Sequence, residues 1–144
     1  TFKELTKGYK PEEHIGLLFE SLCNSSNFDP KKIKEISKNT LEEYKEKSLE
    51  EISSLLKEKS TSNLYSSRIL NLGIYLILVN ASDFNETKDS EKNKIIADIV
   101  NNLNLSVNKA EKDIGIYKSS IIKMEQAKEL LQEARIRDKK EKSK

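Results

Sequence analysis

Val107-Asn-Lys-Ala-Glu-Lys-Asp-Ile-Gly-Ile-Tyr-Lys-Ser-Ser-Ile-Ile-Lys-Met124 decides the fold class of this chain. Its apolar positions, Val107, Ala110, Ile114, Tyr117, Ile121 and Met124, alternate in steps of three and four. That spacing lays them along one face of an α-helix, and over more than two heptads it resembles the seam of a coiled coil. Lys128 interrupts the series and Leu131 resumes it. Ser106 stands where a helix N-cap belongs, and no proline follows it. A continuous helix from Val107 to Lys140 would run about 50 Å at 1.5 Å per residue. A rod that long is expected to overhang a domain of 144 residues.

Upstream of this rod the pattern stays helical. Phe2 to Lys7 reads as the last turns of a helix closed by Gly8, so further sequence is expected before Thr1. Pro11 reads as a first-turn proline, with Glu12 and Glu13 near the positive helix end. The helix that follows, to about Asn24, carries a stripe of Ile15, Leu18, Phe19 and Leu22. Asp29-Pro30 is an N-cap followed by a proline at the first helical position, and Ile33, Ile36, Thr40, Leu41 and Tyr44 mark the side to be buried. Ser48-Leu-Glu-Glu51 matches a capping box, and Leu49, Ile52, Leu55 and Leu56 follow it. Ser60 to Asn63 reads as a loop. Leu64 to Asn80 is the most apolar helix, and hydrophobic residues around its circumference imply burial on most sides. Ala81 to Asp89 reads as a polar loop, and Ser90 as the cap of a helix with Ile95, Ile96, Ile99, Val100 and Leu103 on one face.

The fold class expected is therefore all-α. Residues 1–144 form one helical domain, with a long, partly projecting, coiled-coil-like C-terminal helix whose residues 126–144 make a charged, basic extension. Only 4 glycines and 2 prolines occur, too few turn signals for a many-stranded sheet. The longest apolar run, Ile69 to Ala81, falls short of the roughly 20 residues that cross a bilayer, so the chain is expected to be soluble and at most peripheral to a membrane. The lone Cys23 lies on an apolar face beside Phe19 and Leu22 and reads as a core thiol.

Net charge is only +2. From Arg135 to Lys144 six basic residues face two acidic ones, a frayed helix end or a weak tether to an anionic membrane surface. Nucleic acid is not expected as a partner, because lysines alternate with glutamates along most helices instead of gathering on one face. His14 is the single histidine, Cys23 the single cysteine, and a metal or triad site needs partners that neither has. No phosphate-binding glycine loop and no nucleophile elbow occurs. The chain thus offers no candidate catalytic, cofactor-binding or metal-ligating residue, and it reads as a protein that binds other proteins. Arg68 is the one charge near the start of the most apolar helix, where the dipole opposes it. It is expected either to snorkel to solvent or to find a carboxylate.

Several motifs then occur in order: Gly8-Tyr9-Lys10-Pro11-Glu12-Glu13, Leu18-Phe19-Glu-Ser-Leu22-Cys23, Asp29-Pro30, Tyr65-Ser-Ser-Arg68-Ile69 with Gly73-Ile74, Lys112-Asp113-Ile114 with Tyr117, and Lys123-Met124 with Gln126-Ala127. In sequence and spacing the chain resembles the thylakoid formation protein family from Gly8 to its end. It departs from that pattern at Ile74, where the family usually has leucine, and in the segment before the glycine-tyrosine motif, most of which is absent here.

The resemblance implies an all-helical, non-catalytic accessory factor in thylakoid biogenesis and photosystem II assembly or repair. It implies association with FtsH protease complexes, at the cytoplasmic or stromal side of the thylakoid, with a peripheral contact to anionic lipid in reach. The residues it singles out are Gly8, Tyr9, Pro11, Glu12, Tyr65, Arg68, Gly73, Asp113 and Tyr117. It also suggests that Arg68 pairs with Asp113 where their helices pack. The other reading the residues allow is a generic coiled-coil interaction module.

Overall fold

The computed structural model describes residues 1–60 and 64–142, with side chains to residue 137. The expected loop residues 61–63 and the basic side chains beyond 137 lie outside the described set. Every regular element among the described residues is an α-helix: α1 (Phe2–Leu5), α2 (His14–Ser25), α3 (Pro30–Lys45), α4 (Leu49–Lys59), α5 (Arg68–Asn80), α6 (Ser82–Glu86), α7 (Asp89–Asn102) and α8 (Val107–Lys142). The chain divides into two compact units, Thr1–Ile114 and Gly115–Lys144.

Local chemistry sets most boundaries of the first unit. Asp29 accepts from the backbone N–H of Lys31 at 2.8 Å, with Pro30 in the first turn of α3. The Ser48 hydroxyl accepts from Glu51 N while the Glu51 carboxylate accepts from Ser48 N at 2.8 Å, so the box at the start of α4 is reciprocal. Helices α2 and α7 end alike. Asn27 and Asn104 take φ of 57° and 55°, and the next residues, Phe28 and Leu105, donate back to Cys23 O and Val100 O. This is a Schellman ending with asparagine in the left-handed position.

Four boundaries differ from the sequence reading. Pro11 is not in the first turn of α2. The Lys10–Pro11 bond is cis, and Pro11 O and Glu12 O accept from His14 N and Ile15 N, a tightened turn of i to i+3 bonds that delays α2 to His14. Helix α5 starts at Arg68 and not at Leu64, because the Ser67 hydroxyl takes the Leu70 N–H as N-cap. The stretch after Ala81 is no open loop. Phe84 is buried and drives a short helix, α6, with its ring edge-on to Tyr75 at 6.5 Å. Ser90 does not cap α7, whose N-cap position is Lys88 without a side-chain bond. Asp89 and Glu91 instead bring negative charge to that first turn.

The core gathers around α5. Helix α3 packs on α5, α6 folds back on α5, α2 lies on α3, and α4 meets α7. Tyr44, Ile52, Leu72, Leu78, Phe84 and Val100 are the large buried side chains. On α3 the buried stripe is narrower than expected: Tyr44 is sealed, but Ile36 and Leu41 are exposed. They flank the line of Ile33, Thr40 and Tyr44, spaced seven and four, which is the more buried side of α3. Cys23 is buried with a free thiol.

Candidate protein-binding site

Two places in the first unit combine unusual geometry with residues that the sequence singles out. The first is polar and surrounds the start of α5. Ser66 and Ser67 lead into α5, Ser67 in extended backbone, and each is tied down. Ser66 O accepts from Lys109 Nζ at 2.6 Å, and its hydroxyl bonds Asn71 Oδ1 at 3.3 Å. The Asn71 amide then donates to Asp113 Oδ2 at 2.8 Å, and the other Asp113 oxygen lies 3.4 Å from Arg68 Nε.

Burial grades outward along this chain of bonds. Asn71 is fully buried, the Asp113 side chain is 9% exposed and the Arg68 side chain is 56% exposed. Burying Asp113 is tolerable only because its oxygens are both met, since an unpaired buried charge costs several kcal/mol. The stronger bond comes from the neutral amide. Asn71 interrupts the apolar run from Ile69 to Ala81, and a polar residue inside such a run signals a buried partner elsewhere. The surroundings of Arg68 are also wetter than a start in the most apolar helix suggests, because the side chain leaves α5 at its first turn. Tyr65 is 79% exposed, and Lys109 Nζ stands 4.8 Å from the centre of its ring, within cation–π range.

The second place is apolar. Phe2, Ile15, Phe19, Leu22, Phe28 and Ile33 line a cleft of about 1050 Å³, with the Phe2 and Phe19 rings 5.4 Å apart. Ile15, Phe19 and Leu22 of the α2 stripe thus face this opening, and Leu18 and Leu22 stay substantially exposed.

The motif residues distribute as follows. Gly8, with φ of 82°, turns the chain between α1 and α2, and Gly8 and Glu12 both line the cleft. Tyr9 and Pro11 are exposed in the same turn, and Glu12 pairs with Lys10 at 2.6 Å in solvent. A Cβ at Gly73 would stand 3.2 Å from Thr1 Oγ1, so this glycine lets the first residue approach α5. Tyr65, Arg68 and Asp113 come together at the polar junction, whereas Tyr117 lies in the second unit, half-buried. Among the described residues no group of three or more histidine, cysteine, aspartate and glutamate side chains is placed to hold a metal ion.

The thylakoid formation protein family model matches residues 1–144. The chain belongs to the thylakoid formation protein family. It is 81% identical over 144 residues to protein Thf1 of Prochlorococcus marinus subspecies pastoris, covering all of this chain and 71% of that protein. Over 140 residues it is 69% identical to protein Thf1 of Prochlorococcus marinus strain MIT 9312, covering 97% of this chain and 70% of the relative. A solved structure of Psb29 superposes with a TM-score of 0.67 at 22% identity, covering 99% of this chain and 72% of that one. That likeness establishes the all-α fold. No described helix is long and apolar enough to cross a membrane.

Proposed function

We propose that the chain is a non-catalytic accessory factor of the thylakoid, acting in membrane biogenesis and in photosystem II assembly or repair by associating with an FtsH-type protease complex. The observation that carries this reading is the family match over residues 1–144, together with 81% identity to a Thf1 protein. The geometry supports a binding role, because the polar groups at the α5 junction are spent on shaping one another and leave a tyrosine and an arginine facing outward. The contact with the membrane would be peripheral, at its cytoplasmic or stromal face.

The test is affinity capture on the immobilised chain from detergent-solubilised thylakoids, with FtsH subunits measured by immunoblot and mass spectrometry. FtsH should be enriched well above a helical control of equal charge. Capture no better than that control sinks the FtsH association.

A second reading, the coiled-coil module, is favoured by α8 itself. Leu131, which resumes the apolar stripe of α8 beyond Lys128, is 61% exposed, and an open seam position suits a second helix. Sedimentation equilibrium distinguishes the two: a concentration-dependent dimer supports helix pairing, and a monomer at micromolar concentration removes it.

A further inference from the structure

We propose that Tyr65, Arg68 and Lys109 form a docking patch for an acidic segment of a partner protein, with Asn71 and Asp113 as positioning residues that aim the Arg68 guanidinium. This deepens the reading of the chain as a protein-binding factor and rests on it, without depending on which protein is bound.

The argument starts from an asymmetry. The carboxylate is 9% exposed and the guanidinium 56%. The fully buried Asn71 holds Asp113 at 2.8 Å, and Asp113 in turn engages Arg68 through Nε, at 3.4 Å. A guanidinium gripped at Nε presents its terminal N–H edge, the fork that meets a carboxylate bidentately. Two buried polar side chains are thus committed to orienting one that faces water.

The neighbours suit the same occupant. Tyr65 is 79% exposed and is steadied by Lys109, whose ammonium lies 4.8 Å from the ring and is anchored on Ser66 O at 2.6 Å. Tyrosine and arginine are enriched at the hot spots of protein interfaces, and holding such groups in place beforehand lowers the cost of binding. Arg68 and Lys109 both bring positive charge to this junction, so the complementary partner is a chain carrying carboxylates.

The test is an NMR titration of the isotope-labelled chain with hexaglutamate. Hexalysine and phosphatidylglycerol vesicles serve as separate probes. Hexaglutamate should shift the Arg68 side-chain Nε–H and the backbone amides of Tyr65, Ser66 and Lys109, and hexalysine should not. Arg68→Lys, which keeps the charge and loses the fork, should weaken binding roughly tenfold. Asp113→Asn should weaken binding through loss of aim, and tighter binding, which simple attraction to a more positive patch would give, overturns the positioning role. If circular dichroism shows that Asp113→Asn does not fold, Arg68→Lys decides alone. The proposal is overturned if hexaglutamate leaves these nuclei unmoved, or if Arg68→Lys binds as tightly as the parent. It is also overturned if vesicles shift this set while hexaglutamate does not, which assigns the patch to lipid headgroups. FtsH capture plays no part in the titration, so either idea can fail without the other.

Discussion

Asn71 and Asp113, 42 positions apart in sequence, are joined by a buried 2.8 Å bond from the Asn71 amide to the Asp113 carboxylate. This bond ties the first turn of the most apolar helix to the first turns of the long one. Removing either partner strands the other out of water. Asn71→Ala should therefore destabilise the chain by about 1–3 kcal/mol from the unmet carboxylate alone. Asp113→Ala should cost a comparable amount. The double variant should be less unstable than the sum of the two, as for groups that share one bond. Urea unfolding of all four proteins supplies the cycle, and strictly additive losses would show that the bond carries no coupling.

Arg68 should behave differently, although it touches the same carboxylate. Its side chain is 56% exposed, and a pair in that setting contributes about 0–1 kcal/mol. We expect Arg68→Ala to cost no more than about 1 kcal/mol, well short of the figure for a sealed pair. The same urea series measures it. A loss above that of Asn71→Ala would mean that the guanidinium, and not the amide, holds Asp113.

The sequence made the helices and most caps legible because their causes are local. Asp29, Ser48 and Ser106 each act on a backbone N–H two or three residues away, and a short window contains the whole interaction. Phe84 was not legible, because five residues reading Ser-Asp-Phe-Asn-Glu carry no period and the ring's burial depends on α5. Asn71 was harder still: its reason is Asp113, supplied by another helix. The α2 stripe taught a third lesson. Ile15, Phe19 and Leu22 announce an apolar face, but periodicity carries no information on whether a neighbour covers it, and here the face lines an open cleft.

Glu51 gives a pH prediction. The Ser48 backbone N–H, followed by the Ser48 hydroxyl, holds its carboxyl below the ordinary glutamate range. A carboxyl whose folded pKa is depressed stabilises the fold at pH values above its unfolded pKa, and that contribution is lost as pH falls through the folded value. Glu51→Gln should therefore be less stable than the parent at neutral pH. The gap should close on acidification through and below the usual glutamate pKa. Thermal melts from neutral pH down to the acid limit of the fold measure this, and a gap independent of pH would show that the capping carboxylate contributes nothing through its charge.

The paired asparagines test the backbone. Asn27 and Asn104 sit at φ of 57° and 55°, a region that costs an ordinary L-residue roughly 1–2 kcal/mol. Alanine at Asn104 should destabilise by about 1 kcal/mol, while glycine should be neutral or stabilising. The order glycine, asparagine, alanine in thermal midpoint is the expected outcome at both sites. Alanine matching asparagine would show that the helix ending relaxes without the left-handed residue.

Phe84 provides the test of whether α6 belongs to the core or merely covers it. The residue is 2% exposed and meets Tyr75 edge-on at 6.5 Å with the rings 81° apart, while Lys92 Nζ lies 5.8 Å from its ring centre. Truncating a buried phenylalanine loses its transfer energy and leaves a cavity, together about 3–5 kcal/mol where the surroundings cannot collapse. Five residues of helix have little stability of their own, so α6 has no reason to persist once its anchor is gone. Phe84→Ala should thus lower global stability by about 3 kcal/mol or more and expose the amides of Ser82 to Glu86 to rapid hydrogen exchange. Phe84→Leu, which keeps an apolar anchor but loses the ring contacts, should retain most of the protection at a smaller cost. If Phe84→Ala accelerates exchange in α6 while the chain's unfolding midpoint stays put, α6 is a detachable flap, and the core closes on α5 without it.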